Sequence, residues 1–270
     1  MRNARLLVFV TALVLPLFWT GALWAAEEPV PGTANAVNLG EAVPGGGIAP
    51  EPESTSTTEG AVVIGTVVGT NCWLSRGLEG DQYRDSAVAC ARSGTPLTIL
   101  TDAGELVYPI TVANSGNYQP DMQTLMSYAE QRVAVTGKVI KRGKERAIVI
   151  DKVASAPEPK KKRTFETKQT PNCEVVGRVV DLSGWIASGS ATMTDPKLVG
   201  ECAAGGDPLV IVARGGRVYY PVMIGMPKSP VGTAMLSSYC AQQVRVTGTI
   251  INRGGGRAVV IDKVAPLASK

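Results

Sequence analysis

QRVAVTGKVIKRGKERAIVIDKVA, residues 131–154, returns at residues 242–265 as QQVRVTGTIINRGGGRAVVIDKVA. The two align without a gap, and a self-match of this length settles the architecture before any local reading. Each copy reads strand, tight turn, strand. Val133, Val135 and Val139 alternate with Ala134, Thr136 and Lys138, the period of two that gives a strand one buried and one exposed face. Arg142-Gly143 and Arg253-Gly254-Gly255-Gly256 supply the turns, where glycine takes positive φ without steric cost. The closing strand, AIVIDKVA or AVVIDKVA, is apolar on both faces until its Asp-Lys. A lone hairpin is not stable in water, so each copy must end a larger unit, and that unit must occur twice.

Working outward, the first unit spans residues 61–154. Strand one is expected at 62–68 with Gly65 at its middle, a position that suits a sharply bent strand. An insert follows over 69–95. It opens on Cys72-Trp73 and contains a helix over 81–93 (Ala87, Val88, Cys90, Ala91), with Gly94 as its stop and Pro96 just beyond. Residues 97–101 and 105–112 form a hairpin across Asp102-Ala103-Gly104. A short helix over 120–130 then gathers Met122, Leu125, Met126 and Ala129 on one face. The second unit, residues 172–265, retraces these landmarks: Gly177 matches Gly65, Trp185 matches Trp73, Cys202 matches Cys90, Pro208 matches Pro96 and Tyr220 matches Tyr108. Its inserted helix starts at Asp195-Pro196, an N-cap followed by proline in the first turn, and stops at Gly205.

Five strands per unit, a bent first strand, a helix before the last hairpin and an inserted helix after strand one describe an all-β chain with short helices: two tandem five-stranded OB-fold barrels. A small open sheet with a helix on one side is the alternative. The doubly apolar fifth strand favours closure over a solvated edge. The motifs GTVVGTNCWLSRG, ACARSGTPLTILTDAG and RVAVTGKV, and again GRVVDLSGWIASG, ECAAGGDPLVIV and VRVTGTI, resemble those of a group of exported bacterial OB-fold proteins, mostly of unassigned function. That group often carries a His and a second Cys in the inserted helix, a set suited to a metal. The matching positions here are Tyr83 and Ser86, with no such set in the second unit.

The 270 residues divide further. Residues 1–26 read as a signal peptide: Arg2 and Arg5, an apolar run over 6–24, and Ala25-Ala26 as the cut. An uncleaved membrane anchor is the alternative, since about 20 apolar residues span a bilayer. Residues 27–60, rich in Pro, Gly, Glu, Ser and Thr, read as a disordered spacer. Residues 155–171 read as a basic linker with the run Lys160-Lys161-Lys162-Arg163, either solvated or gripping an anionic polymer. Residues 266–270 are a tail. A periplasmic or secreted location follows.

Of 27 basic and 23 acidic residues, two bases and six glutamates precede residue 61, leaving 25 against 17 in the rest. That near-balance argues against a nucleic-acid partner, which demands a concentrated basic stripe. Histidine is absent, removing the commonest general base and metal ligand. No catalytic residues, cofactor or metal are assigned, and the chain is not expected to be an enzyme.

Two constellations remain. Trp73, Tyr108, Trp185 and Tyr220 fall at matching places near the face on which OB barrels take ligands, and rings there could stack on a glycan. The same rings could equally anchor the inserts. Five cysteines in an exported chain imply disulfides. Cys72 with Cys90 is the first pair expected, and Cys202 is left to Cys240 or Cys173, with a buried thiol at Cys240 as the alternative. A copper(I)-like or redox site at Cys72 and Cys90 competes with the bridge. The expected function is an exported envelope binding module for an unknown ligand, a glycan being the candidate. A thiolate metal or redox protein and a structural scaffold are the other readings.

Overall fold

The computed structural model describes residues 54–92, 94–112, 118–159, 163–189, 194–224 and 231–267. The signal peptide expected in 1–26, most of the spacer expected in 27–60, and Lys160, Lys161 and Lys162 of the basic run lie outside the described residues.

Module one comprises β1 (Thr55–Gly69), α1 (Thr70–Arg76), α2 (Arg84–Arg92), β2 (Leu97–Thr101), β3 (Leu106–Val112), β4 (Tyr118–Pro120), α3 (Met122–Met126), β5 (Arg132–Arg142) and β6 (Glu145–Ser155). Module two repeats it as β7 (Thr167–Asp181), α4 (Leu182–Ser188), α5 (Pro196–Ala204), β8 (Leu209–Ala213), β9 (Arg217–Val222), α6 (Val231–Leu236), β10 (Gln243–Arg253) and β11 (Gly256–Pro266). In module one β1 pairs antiparallel with both β2 and β5, β5 pairs with β6, and the ring closes through β2–β3 and a parallel β3–β6 contact. Module two closes identically through β7, β8, β9, β11 and β10, with β9–β11 parallel. Both units are five-stranded closed barrels of the OB type.

The repeated valines explain the closure. Val133, Val135 and Val139 are buried with Val63, Val67, Ile99, Val107 and Ile148 inside barrel one. Val244, Val246, Val175, Val179, Ile211 and Val259 do the same in barrel two. Each first strand is long enough to serve two neighbours because a glycine sits where it crosses the second strand. A Cβ at Gly65 would run into the Leu100 carbonyl, and one at Gly177 would stand 2.6 Å from the Val212 carbonyl oxygen.

Two strand starts differ from the sequence pattern. β1 begins at Thr55, inside the stretch expected to be a disordered spacer, because Thr55–Thr58 ladder onto Val139–Arg142 and threonine suits a strand. β7 likewise begins at Thr167, inside the expected linker, with Thr167 opposite Arg253. The inserted helix expected after strand one is present in both modules, where the residues directly after each first strand form the short helices α1 and α4.

The doubly apolar last strand has a different cause from the one expected. On β6, Ile148 faces the barrel interior while Ala147 belongs to a second core, and Val149 packs against that core. On β11, Val259 faces inward and Ala258 belongs to the same second core. The outer face of each closing strand is covered by the other module.

Candidate functional site

That second core joins the two modules, with Trp73, Leu74, Leu106, Tyr108 and Ile110 from one and Leu182, Trp185, Ile186, Val218 and Tyr220 from the other. Its edges are reciprocal. Arg142, in the hairpin turn of module one, donates from Nε to the Ile186 carbonyl at the end of α4 (3.1 Å). Arg253, its counterpart, donates from Nε to the Leu74 carbonyl near the end of α1 (3.3 Å). Each turn thus supplies a donor to carbonyls that a helix end leaves without an intrahelical partner. Residue i meeting j while j meets i is the signature of a two-fold interface, here built within one chain. Asn71 ties the modules again, its Oδ1 accepting from Met223 N–H at 2.9 Å.

The four rings expected at a ligand face are therefore packed between the barrels instead of lining an open surface. Trp73 is 1% exposed, Tyr108 1%, Trp185 3% and Tyr220 5%. The linker adds to the seal. Phe165 meets Trp73 edge-on (centroids 5.8 Å apart), and Arg163 donates to Thr66 Oγ1 (2.6 Å) and the Leu100 carbonyl (2.9 Å) while pairing with Glu79. Arg163, expected to be solvated or to hold a polyanion, is spent on module one itself. The two tyrosines differ. Tyr220 donates to Glu145 Oε2 at 3.1 Å, whereas the Tyr108 hydroxyl is buried with no hydrogen-bond partner. Burial raises the pKa of both tyrosines well above the usual value, with Glu145 adding to the rise at Tyr220 and Asp207 adding to it at Tyr108.

Where β1 runs into α1, module one gathers polar chemistry under its insert. Cys72 of α1 and Cys90 of α2 are each 5% exposed and lie beside one another under the insert. The neighbouring Cys90 thiol, with help from Arg76, pulls the Cys72 pKa down against burial, while the Cys72 thiol and burial push that of Cys90 up. Glu130 lies beside them. Its backbone takes φ 59°, and its carboxylate reaches beneath the insert to accept from Gly80 N–H (2.8 Å) and Gly69 N–H (3.5 Å). Burial is the main cause that lifts its pKa to about 7, against those two hydrogen bonds.

Module two puts carboxyls in the same place. Gly184 stands where Cys72 stands, and a Cβ there would collide with the Asp181 carboxylate that caps α4 by accepting from Gly184 N–H at 2.8 Å. Asp207 accepts from Ser183 Oγ (2.9 Å) and Ser183 N–H (3.2 Å). Both acids are completely buried. Burial is the first cause raising Asp181 to about 6; burial and then Asp181 hold Asp207 well above the usual range.

The cysteine expectations need correction. None of the five buried cysteines is in a disulfide. Cys72 and Cys90 do meet, but as thiols. Cys202 does not turn to Cys240 or Cys173: its sulfur accepts from Gln119 Nε2 of module one at 3.7 Å, and burial pushes its pKa up to about 11. Cys240 donates to the Ser237 carbonyl (3.2 Å), and Cys173 to the Pro171 carbonyl (3.7 Å). Among the described residues no group of three or more His, Cys, Asp or Glu is placed to hold a metal.

Sequence reasoning passed over Glu130, Asp181 and Asp207. The signal for Glu130 was available: it stands immediately before the repeated stretch, opposite Ala241, which shares its positive φ of 60° but carries no carboxylate. No family model, curated protein or solved structure matches this chain. The likeness to exported bacterial OB-fold proteins rests on its motifs alone.

Proposed function

We propose that this chain is an exported, non-enzymatic binding protein of the cell envelope, periplasmic or secreted, whose two barrels act as one rigid scaffold. One observation supports the scaffold part of the reading: Trp73, Tyr108, Trp185 and Tyr220 are buried together in a core shared by both modules, while export and binding rest on the sequence motifs alone. OB barrels take oligonucleotides and oligosaccharides on the face formed around strands two and three. With that face closed by the other barrel, an envelope polymer such as a glycan would be met by the outer walls of the block. The test is urea unfolding of the full chain followed by tryptophan emission and far-UV circular dichroism, in a Trp19→Phe/Trp24→Phe background so that only Trp73 and Trp185 report. A single coincident transition, with emission that a glycan panel and acrylamide leave unaltered, is expected. Two separable transitions, or saturable quenching by a glycan, overturns the closed-face reading.

A further inference from the structure

The turn between β2 and β3 is acidic, and its counterpart between β8 and β9 is basic. Module one reads Thr101-Asp102-Ala103-Gly104-Glu105 there, and module two reads Ala213-Arg214-Gly215-Gly216-Arg217, the same length with both acids replaced by arginine. In module one the acids are matched: Glu105 accepts from Arg146 Nη1 at 2.6 Å, and Asp102 pairs with Arg132 at 2.7 Å. Arg257 holds the place of Arg146 on the last strand, so module two sets Arg217 and Arg257 where module one sets an ion pair. Like charges on neighbouring strands repel, and a scaffold gains nothing from them. The row of cations runs on across the sheet. Asn252 lies opposite Arg257 on one side and Lys168 on the other, so the three share one face. That is the inner face of barrel two, because Ile250 and Val259, two residues along their strands, are buried inside it, as is Ala213 opposite Arg217. These residues therefore ring the mouth of the barrel. Lys168 and Arg214 are exposed, Arg217 and Arg257 half-buried, and the exposed Glu166 stands at the margin. Arg217 Nε donates to the Arg214 carbonyl at 3.3 Å, which fixes the turn.

We propose that the mouth of barrel two is an anion-binding rim that takes an acidic glycan by its carboxylates, with Arg214, Arg217, Arg257 and Lys168 as the contacts. This rests on the envelope-binding reading above and gives it a surface and a ligand class. Arginine presents a planar fork that meets a carboxylate with two parallel hydrogen bonds, and lysine adds a point charge. The row from Arg257 through Asn252 to Lys168 crosses two strand spacings, about 10 Å. A chain with repeated charges therefore engages several of these groups at once, and linked weak contacts gain avidity. Binding is electrostatic at a wet rim and so is screened by salt. A single-stranded nucleic acid is the poorer fit, because its binders add aromatic rings on which bases stack. Here Tyr219, next to the rim, and the four rings of the shared core are buried.

The test is fluorescence anisotropy of a fluorescein-labelled oligogalacturonate titrated with the full chain in the Trp19→Phe/Trp24→Phe background. Saturable binding is expected, weakening roughly tenfold between about 0.05 and 0.3 M sodium chloride. Arg214→Asp/Arg217→Glu is expected to weaken it roughly tenfold or more, since each change reverses a contacting charge. Module one carries those same residues at the matching places, so the turn accommodates them. Circular dichroism checks the fold, and Arg214→Ala/Arg217→Ala serves where the reversal is not folded. Lys141→Glu, in the matching row of module one, is expected to change the affinity by less than about twofold. Absence of saturable binding, equal binding of the neutral methyl-esterified oligomer, or equal loss in Lys141→Glu overturns the proposal. So does tighter binding of an oligodeoxythymidylate of the same length. Emission from Trp73 and Trp185, read in the same titration, separates the two readings. Failure at the rim with emission unaltered overturns this inference alone, whereas quenching by the oligogalacturonate overturns the closed-face reading with it.

Discussion

The two inserts share a backbone and little chemistry. Both leave their first strand through a short helix, both carry a positive-φ residue at the entry to the repeated hairpin, and both pack a tryptophan into the shared core. Under module one lie two thiols and Glu130; under module two lie two protonation-prone carboxyls and Ser183. The outer walls diverge as well. Val62 and Ile64 of β1 are 59% and 46% exposed, whereas the residue matching Val62 is Glu174, paired with Arg245 at 3.1 Å. What is common to the halves is therefore what builds the barrels and joins them. What differs is what each half can do, and fold alone does not assign that.

The largest effect expected concerns what is common. Trp73→Ala and Trp185→Ala should each cost about 3–5 kcal/mol, the range for emptying a buried tryptophan site. If the shared core makes one cooperative unit, either substitution lowers the urea midpoint of both modules together. Destabilisation confined to one module would break the equivalence of the two tryptophans.

A smaller effect probes the carboxyls of module two. In the folded state Asp181 holds its proton up to about pH 6, against 3.8 for an ordinary Asp. A raised acid pKa means that the folded state binds the proton more tightly. Stability from this group is therefore complete below about pH 4 and declines as pH rises through 6. The decline should be on the order of 1–3 kcal/mol. Asp181→Asn keeps the helix cap and should flatten that part of the pH–stability curve, with Tm measured from pH 4 to 8. Glu130 of module one, near 7, adds a slope of the same sign that survives in Asp181→Asn and disappears in Glu130→Gln.

The smallest effect separates the two tyrosines. Tyr220→Phe removes the donor to Glu145 and should cost about 1–2 kcal/mol, since it deletes a buried hydrogen bond to a carboxylate. Tyr108→Phe removes a hydroxyl that has no partner and should change stability by less than about 0.5 kcal/mol, or raise it slightly. Equal losses by thermal melting would contradict the asymmetry.

The barrels were legible because their information is local. Alternating valines set strand faces, glycine marks the turns and the strand crossing, and Asp195 caps α5 by accepting from Lys197 and Leu198 N–H as its sequence suggests. The joint between barrels was not legible, because the residues that make it carry ordinary local meanings. Arg142 and Arg253 look like solvent-facing turn residues, and nothing in their spacing says that a foreign helix end lies above them. The apolar outer face of β6 signals burial without naming what buries it. Thr55–Thr58 sit in a low-complexity run whose composition suggests disorder, yet their pairing depends on β5, far along the chain. Phe165 and Arg163 were masked by the lysines beside them. At the thiol site the meeting of Cys72 and Cys90 was foreseeable from their shared insert, while Glu130 required knowing how a left-handed backbone aims its carboxylate.

The crossed arginines have one more implication. A protein with a single copy of this unit would present the same turn, the same helix end and the same aromatic patch to another copy of itself, and so would associate as a symmetric dimer. Joining the copies in tandem makes that encounter intramolecular, independent of concentration. It also lifts the requirement that the two partners be identical, and a sulfur-bearing half beside a carboxyl-bearing half is a divergence that no homodimer can undergo.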